Sequence, residues 1–453
     1  MRVRRTHWLR YLVLAGFFGA FPSTIQADDW PQWLGPKRDA VWRETGILEK
    51  FPAGGPKVLW RTPVGAGYSG PAVAKGRVYL TDRVLAEGAK PQRNPFDPSP
   101  IPGTERILCL DEKTGKVLWK HEYKCTYRIS YANGPRATPI VHEGHVYSLG
   151  AMGNLFCLNA ENGKVIWSKD FVADCKAPVP GWGFAAHPLL DGDKLICLVG
   201  GKDHVVVAFD KENGEEKWHA LSMQQNQIGY CPPMIYTIGG KRTLIIWHPE
   251  SVNGLDPETG KLYWSQPFKI DANLSVSTPR QDGDHLFVTS FYNGAMMLKI
   301  TDGQPSVVWR SQVKSEQAGR TDTLNSIMPT PFLREGYIYG VCSYGELRCL
   351  QASDGKRVWM SLKATEVPDE SVRWANVFLI AHGDRFFLPN EKGDLLIARL
   401  TSQGYEEIDR AHILAPTDRS PGRLVVWSHP AFANKSMYAR NDKEIVCVSL
   451  AAE

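Results

Sequence analysis

The sequence predicts an all-β fold, an eight-bladed β-propeller of four-stranded antiparallel blades. Three observations indicate it: a recurring 11-residue pattern, a second shared element before that pattern, and an outer strand missing at one end of the chain and present at the other. Such recurrence, at intervals of about 50 residues, marks one supersecondary unit used repeatedly. Five stretches carry the pattern: 109–119 (CLDEKTGKVLW), 157–167 (CLNAENGKVIW), 208–218 (AFDKENGEEKW), 254–264 (GLDPETGKLYW) and 349–359 (CLQASDGKRVW).

The pattern predicts a β-hairpin. Its first three residues end one strand, and the seventh residue is a glycine, which supplies the positive φ that a tight turn needs. Asp111, Asp210 and Asp256 are placed to accept backbone N–H groups within the turn. The closing tryptophan offers a large flat surface, which we expect to be buried against the neighbouring unit.

A second element precedes several of these hairpins. It begins with a small residue and a proline and continues as two short apolar strands around a glycine turn, as at 69–79, 138–147, 278–287 and 330–339. Each unit is therefore predicted to hold four strands, with the proline at the start of the innermost one.

Eight such units are predicted, and the chain closes them into a ring. Two are degenerate, at 299–309 and 398–408, and the last stops at 447–450 without an outer strand. Residues 58–60 (VLW) have no hairpin before them, so they are predicted to complete the last blade and remove its open edge. Residues 28–453 then form one propeller domain.

The pattern in its fullest form, Leu-Asp-x-x-Thr-Gly-Lys-x-x-Trp, resembles the tryptophan-docking repeat of the PQQ-like β-propeller superfamily. The resemblance runs from about Trp30 to the C-terminus and rests on the repeats at 109–119 and 254–264 in particular. That superfamily includes quinoprotein alcohol dehydrogenases, an outer-membrane assembly propeller lipoprotein and many secreted propellers. The resemblance implies the fold and leaves the activity open.

Residues 1–27 are predicted to form a secretory signal peptide. Four arginines precede an apolar run at 11–21, and Ala27 is a small residue at the expected cleavage point before Asp28. An uncleaved membrane anchor is the alternative, although the run is short for a bilayer span. We therefore expect a periplasmic or secreted protein without a transmembrane segment in the mature chain. No cysteine lies near the cleavage point, unlike in the lipidated assembly propeller.

Charge and cysteine usage exclude several classes of function. The formal charge of +5 falls to +1 once the four arginines of the signal are removed, and no basic stripe remains for nucleic acid. Four of the nine cysteines occupy the first motif position of separate blades and are predicted to be core residues. Cys125 and Cys175 follow the outer strands of adjacent blades and form a candidate disulfide. No Cys-x-x-Cys or His-Glu-x-x-His spacing predicts a metal site.

Segments just before each innermost strand are expected to converge on one mouth of the central channel. A guanidinium suits a carboxylate or phosphate, so Arg136 is one candidate for ligand binding. Trp182 and Trp374 are candidates for stacking on a flat ligand or a sugar ring. His187 and Asn376 complete the candidate set; His187 and His429 are expected to satisfy buried carbonyl groups. The alternative is that these residues plug the channel and bond to loop backbone. The further members of the ring are Tyr68, Ser69, Asn133, Tyr230, Ser275, Asn325 and Trp427.

The resemblance leaves three functions to weigh. Quinoprotein dehydrogenases hold PQQ with Ca²⁺ through acidic and amide ligands and typically carry a disulfide between adjacent cysteines, whereas this chain has no such pair and a ring poor in acids. Only one sizeable insertion is visible, the proline-rich stretch 83–105, a candidate lid or contact arm. We expect a secreted non-catalytic module that binds a ligand or envelope proteins and needs no cofactor. A PQQ- and calcium-dependent oxidoreductase and a carbohydrate-binding propeller are the alternatives.

Overall fold

The computed structural model describes residues 28–224, 227–317, 319–367 and 372–452. Eight four-stranded antiparallel sheets account for almost all regular structure, which confirms the predicted eight-bladed propeller. The predicted signal peptide lies outside the described residues. Within them, no helix has the length and apolar character needed to cross a membrane.

The first half of the ring holds one strand of the last blade and then four complete blades in chain order. The lone strand is β1 (Val58–Pro63). Blade 1 is β2 (Ala72–Ala74), β3 (Arg77–Leu85), β4 (Gly103–Asp111) and β5 (Val117–Lys124); blade 2 is β6 (Ile140–His142), β7 (His145–Leu149), β8 (Asn154–Asn159) and β9 (Val165–Asp170), followed by the short helix α1 (Phe171–Cys175); blade 3 is β10 (Leu189–Asp191), β11 (Lys194–Leu198), β12 (Val206–Asp210) and β13 (Glu216–Ala220); blade 4 is β14 (Met234–Ile238), β15 (Lys241–His248), β16 (Ser251–Leu255) and β17 (Leu262–Pro267).

The second half of the ring repeats the same order and adds one hairpin outside the blades. A short 3-10 helix, Asp271–Asn273, precedes blade 5. Blade 5 is β18 (Arg280–Asp282), β19 (His285–Ser290), β20 (Gly294–Thr301) and β21 (Gln304–Arg310); blade 6 is β22 (Phe332–Arg334), β23 (Tyr337–Val341), β24 (Leu347–Gln351) and β25 (Arg357–Ser361); blade 7 is β26 (Ile380–His382), β27 (Arg385–Pro389), β28 (Asp394–Thr401) and β29 (Gly404–His412); the extra hairpin is β30 (Asp418–Ser420) and β31 (Arg423–Val425); blade 8 is β32 (Ala431–Ala433), β33 (Ser436–Arg440) and β34 (Glu444–Ser449), completed by β1.

The repeated hairpin has the predicted geometry. In blade 1, Cys109 pairs with Trp119 and a β-bulge follows at once. The turn glycine, Gly115, has φ +69° and donates its N–H to the carbonyl oxygen of Asp111 at 2.8 Å. The Asp111 carboxylate accepts the Thr114 N–H at 2.8 Å, as the pattern requires. The hairpin is therefore specified locally by aspartate and glycine.

Five outer-strand tryptophans pack on the turn glycine of the next blade; they are Trp60, Trp119, Trp167, Trp218 and Trp309. The Trp119 ring lies against Gly163 of blade 2, where an added Cβ would come within 2.5 Å of the ring. Its indole N–H donates to the Ala160 carbonyl oxygen at 3.0 Å. Glycine is thus required at this position for two reasons: the backbone has a positive φ, and the tryptophan leaves no room for a side chain.

Ring closure uses the same contact. Strand β1 pairs with β34, and Trp60 stands opposite Cys447 as Trp119 stands opposite Cys109. The Trp60 indole donates to the Glu112 carbonyl oxygen at 2.7 Å, and its ring covers Gly115 of blade 1. The prediction that the N-terminal strand completes the last blade is confirmed.

The segment before β1 spans one end of the channel, which the sequence did not predict. Trp30 exchanges two backbone hydrogen bonds with Val73 of blade 1, and Trp42 donates its N–H to Ala381 of blade 7. Between them, the buried Arg38 side chain donates to the carbonyl oxygens of Pro188 and Pro233, which lead into blades 3 and 4. Residues 30–42 therefore tie together blades on opposite sides of the ring.

All nine cysteines are free thiols, so the candidate disulfide between Cys125 and Cys175 is not formed. The two residues belong to different apolar clusters: Cys125 packs with Tyr127, and Cys175 packs against the core of blades 2 and 3. The motif cysteines are buried core residues, as expected.

Candidate functional site

A cavity of about 510 Å³ lies at the channel mouth where the segments leading into the blades converge. That volume falls within the range of small-molecule sites. Aromatic rings make up most of the wall, supplied by every blade entrance except those of blades 5 and 6, which give aliphatic side chains. The cavity is lined by Trp33, Tyr68, Phe96, Tyr131, Arg136, Trp182, Ala185, His187, Tyr230, Pro232, Leu274, Val276, Tyr292, Ile327, Met328, Arg373, Trp374, Phe378, Trp427 and His429.

Four of the five candidates chosen from the sequence line this cavity: Arg136, Trp182, His187 and Trp374. Asn376 does not; its side chain is fully buried, and neither amide atom has a hydrogen-bond partner among the described residues. The neighbouring Val377 forms a bridge with Asn390, so at this point the chain has already entered the blade. Whether the four lining residues bind a ligand stays a prediction.

The open side of the cavity is covered by the proline-rich insertion. Phe96 from this loop meets Tyr131 edge-to-face, with ring centroids 5.2 Å apart, and lies 6.0 Å from Trp374. The Gln92 side chain holds the loop in place by accepting the Ala132 N–H and donating to the Ile129 carbonyl oxygen. Phe96 remains 42% exposed, so it forms the outer cover of the cavity rather than part of its core.

The inner end of the cavity is formed by Trp33, from the N-terminal segment. Its ring stacks on His187 with centroids 4.2 Å apart and planes 7° from parallel, and meets His429 edge-on at 4.1 Å. Its indole N–H donates to the Thr278 hydroxyl at 3.2 Å. Trp33 is only 6% exposed, so its ring forms the aromatic surface at the bottom of the cavity that a bound ligand would contact.

Two aromatic residues of the wall adopt left-handed backbone conformations. Tyr131 has φ +53° and Trp374 has φ +65°. Large side chains rarely adopt such angles, and the strain persists only where the surroundings hold it. Here the Tyr131 N–H donates to Pro95 O at 2.6 Å and the Trp374 N–H to Ser343 O at 2.9 Å. Both rings therefore line the cavity from strained backbone conformations that the surrounding hydrogen bonds stabilise.

The Arg136 guanidinium is bonded to its own loop. It donates to the carbonyl oxygens of Ser130 at 2.9 Å, Tyr131 at 2.6 Å and Gly134. It also lies over the Tyr68 ring, 5.1 Å from the centroid. Most of its donors are thus committed to holding the segment that presents Tyr131.

The second cationic group of the wall, Arg373, has a carboxylate partner. It donates to Glu316 at 2.8 Å and to the Tyr292 hydroxyl at 3.2 Å. The guanidinium also lies 5.1 Å from the Trp374 ring centroid. Its charge is therefore balanced by a carboxylate that lies beside the wall.

The two histidines are held in the neutral form. Burial, together with the nearby His429 and Arg38, holds the pKa of His187 well below its usual range, and burial lowers the pKa of His429 to about 3. His187 Nδ1 accepts the Thr138 N–H at 2.9 Å, and His429 Nε2 lies 2.6 Å from the Thr138 hydroxyl. The expectation that these rings satisfy buried carbonyls is wrong, because the partner is an amide and a hydroxyl of Thr138.

Two carboxyl groups, the buried Asp418 and the half-buried Asp442, lie beside the cavity rather than in its wall. The Asn133 amide donates to both Asp418 and Asp442, and the Arg419 N–H donates to Asp418 at 2.8 Å. Burial and the neighbouring Asp442 raise the pKa of Asp418 to about 7. The hairpin that begins at Asp418 leads to Trp427 in the wall, so this pair anchors one side of the cavity.

Sequence reasoning missed Trp33, Phe96 and Arg373. Trp33 and Phe96 come from segments outside the repeat, and the only signal for Phe96 was its place in the insertion that was proposed as a lid. Arg373 directly precedes the candidate Trp374, so its position before blade 7 could have singled it out.

Comparison with protein families matches residues 103–361 and 248–453 to the family described as outer membrane protein assembly factor BamB. The comparison with curated proteins finds no match. Among solved structures, BamB from Moraxella catarrhalis is 14% identical with a TM-score of 0.50, covering 83% of this chain and 98% of that one. Quinohemoprotein alcohol dehydrogenase from Comamonas testosteroni is 12% identical with a TM-score of 0.56, covering 94% of this chain and 81% of that one. At such identities these similarities concern the fold, whereas the family matches together span residues 103–453. The chain therefore belongs to the BamB-type family of PQQ-like β-propellers.

Proposed function

We propose that this protein is a non-catalytic binding propeller whose aromatic cavity takes one compact, flat and uncharged ligand. The observation that carries the proposal is the cavity itself: about 510 Å³, walled by aromatic rings from six blade entrances, with Trp33 at its inner end and Phe96 over its outer side. Flat ring systems gain most from such walls, because offset-stacked and edge-to-face contacts add to the burial of apolar surface.

The charge state of the wall favours an uncharged ligand. Arg136 is bonded to three carbonyl oxygens, and Arg373 is paired with Glu316. His187 and His429 are neutral, since burial lowers the pKa of both rings. An anion entering the cavity would find Arg373 already paired with Glu316 and most Arg136 donors already bonded to loop carbonyl groups, so few free donors would compensate for its lost hydration, which is costly.

Hydrogen-bonding capacity in the wall favours a flat heterocyclic or aromatic ligand over a sugar. A sugar ring needs several donors and acceptors to replace its water, yet the Trp33 indole is bonded to Thr278 and the Trp427 indole to Glu391. The Tyr292 hydroxyl already accepts from Arg373. Carbohydrate binding therefore ranks below binding of an apolar ring compound.

The wall does not fit a quinone cofactor held by calcium. Ca²⁺ takes six to eight oxygen ligands, at least some of them carboxylates. No aspartate or glutamate is among the described residues that line the cavity. Acids beside the wall already have partners: Glu391 binds Arg423 and the Trp427 indole, Glu316 binds Arg373, and Asp418 binds Asn133. We derive no oxidation step from this site.

Envelope assembly is the second candidate. The family description supports it, and so do exposed apolar pairs on the outer strands, which would suit a protein partner at the rim; they are Val58 and Leu59, Val117 and Leu118, Val165 and Ile166, and Val307 and Val308. Together with the predicted signal peptide, the family also supports a periplasmic or secreted location. If a protein partner binds there, Leu118→Lys should weaken its capture while leaving small-ligand binding unchanged.

A matched pair of fluorescent probes tests the cavity. N-phenylnaphthylamine is neutral, whereas anilinonaphthalenesulfonate adds one sulfonate to the same ring system. The neutral probe should bind the wild type more tightly, and Trp374→Ala should weaken its binding at least about tenfold, as expected when a stacking surface worth over 1 kcal/mol is lost. Leu118→Ala, half-exposed on an outer strand, is the control for surface binding. Equal binding to wild type and Trp374→Ala, or a preference for the anion, would refute the proposal.

A further inference from the structure

A cluster of metal-binding donors lies on the rim of blade 3, away from the cavity. His204, Glu216 and His219 each offer one ligand atom, and these atoms all lie within 4.8 Å of one another. We propose that this cluster binds a divalent transition metal ion, Zn²⁺ in particular. Two imidazoles, one carboxylate and a free position for water form a donor set well suited to zinc.

The fold brings the three residues together from strand β13 and from the turn that precedes its neighbour β12. β13 carries a bulge opposite Ala208 and Phe209, so Glu216 and His219, three residues apart, contact each other. His204 comes from the turn before β12, where Gly200, Gly201 and Asp203 all have positive φ. The Ser222 hydroxyl donates to Asp203 and holds that turn against the end of β13.

The protonation of His204 prepares it as a ligand. Its Nδ1 lies 2.8 Å from the Lys202 carbonyl oxygen, which can only accept, so Nδ1 carries the proton and Nε2 presents its lone pair. Nε2 is 3.8 Å from the Glu216 carboxylate. Metal-binding histidines commonly donate their second N–H to a carbonyl in this way, which fixes the tautomer and the ring orientation.

The remaining geometry needs only small side-chain adjustments. His219 Nδ1 lies 2.5 Å from the Glu216 carboxylate, and the two imidazole rings are 4.0 Å apart. Ligand atoms around a tetrahedral zinc ion are about 3.4 Å apart. The side chains are 27–42% exposed, so they can rotate into place and leave a position open to water.

Local sequence spacing is a weak indicator of this cluster. The Glu-x-x-His spacing of Glu216 and His219 binds metals when it lies on a helix, whereas here it lies on strand β13, and His204 is 12 residues away from Glu216. Motifs such as Cys-x-x-Cys and His-Glu-x-x-His, whose absence predicted no metal site, do not include ligands that a strand and a separate turn bring together.

Zinc competition with a chromophoric chelator, on protein without an affinity tag, tests the proposal. The wild type should bind one Zn²⁺ that the double variant His204→Asn/His219→Asn and the variant Glu216→Gln bind at least about tenfold more weakly. His412→Asn is the matched control. His412 also pairs with a carboxylate, Asp394, on an exposed outer strand, but it belongs to no group of three metal-binding side chains among the described residues. Metal-free melting temperatures should be equal in all four proteins, because every substituted side chain is at least partly exposed.

Cobalt provides the second readout. Co²⁺ bound by the wild type should show the visible absorption of a four-coordinate nitrogen and oxygen site, and the double variant should lose it. Zinc affinity that is unchanged in the double variant, equally reduced in His412→Asn, or absent from the wild type would overturn the proposal.

Discussion

Arg136 shows how a cavity side chain can act through the backbone that it holds. Its three carbonyl partners lie on the loop that presents Tyr131 in a strained conformation, and Tyr131 in turn packs against Phe96 and Trp427. The arginine therefore contributes to the shape of the wall more than to its charge.

Arg136→Ala should lower the free energy of unfolding by about 1–3 kcal/mol, because buried carbonyl groups lose their donors. Binding of neutral N-phenylnaphthylamine should weaken only modestly. Chemical denaturation and fluorescence titration of the same variant measure both effects. Unchanged stability with complete loss of binding of an anionic probe would instead assign Arg136 to an anionic ligand.

The buried carboxyl group of Asp418 makes stability depend on pH. Asp418 has a pKa of about 7 in the folded protein, above the ordinary value of 3.8, because of burial and the nearby Asp442. Between these pH values the folded state keeps a proton that the unfolded chain has released, so this stabilising contribution is complete below about pH 4 and is lost as pH rises through 7.

Asp418→Asn should therefore stabilise the protein at pH 8, by on the order of 1–3 kcal/mol, and change little at pH 4. The amide keeps an oxygen for the Arg419 N–H while removing the repulsion with Asp442. Denaturant unfolding at the two pH values measures the difference. Equal effects at both pH values would show that Asp418 is ionised throughout.

At the scale of the elements, outer-strand tryptophans join most blades to their neighbours, but the five docking residues of the repeated pattern differ in burial. Trp264 is 5% exposed, and Trp167 and Trp218 are also buried, whereas Trp119 and Trp359 are only partly covered. The sequence pattern predicts where each tryptophan lies, since all five stretches end in tryptophan at the same position. It cannot predict burial, which depends on the loops around each outer strand.

Trp264→Ala should cost about 3–5 kcal/mol, as truncation of a buried aromatic residue does. Trp359→Ala should lower the free energy of unfolding by less. The Trp359 ring is partly exposed to water in the native state, so its removal mainly eliminates the hydrogen bond from its indole N–H to the Thr401 carbonyl oxygen. Equilibrium unfolding of both variants gives the comparison. A larger loss for Trp359→Ala would mean that blade contacts, not burial, determine the contribution.

Over the whole molecule, two N-terminal pieces have separate roles. Strand β1 closes the ring through its pairing with β34 and through Trp60, while residues 30–42 bridge blades across the channel and place Trp33 in the cavity. The repeats predict ring closure by β1, because a strand that is missing at one end of the chain must be supplied from the other. The bridging role of residues 30–42 cannot be predicted in this way, because that segment lies outside the repeats. The insertion that places Phe96 is recognisable in the sequence only by its proline content.

Deleting residues 28–62 should leave β34 as an exposed edge and give a strongly destabilised, aggregating protein. Deleting residues 28–57 keeps β1 but removes the bridging segment with the buried Trp30, Trp33 and Trp42, so that variant should melt at a lower temperature than the full chain and yet stay monomeric, because no sheet edge is exposed. Light scattering and thermal melting compare the two. Similar melting of the full chain and the longer deletion would contradict ring closure by β1.

The central claim is that the aromatic cavity is a binding site for an uncharged ring ligand, and filling the cavity tests it most directly. Ala185 lines the cavity, so Ala185→Trp should occupy the space that a ligand needs, and Ala185→Ser serves as a control of nearly unchanged volume. Fluorescence titration should find one N-phenylnaphthylamine bound per chain in the wild type and in Ala185→Ser, and none in Ala185→Trp at an unchanged melting temperature. Equal stoichiometry in all three proteins would contradict the account, because the probe would then bind outside the cavity.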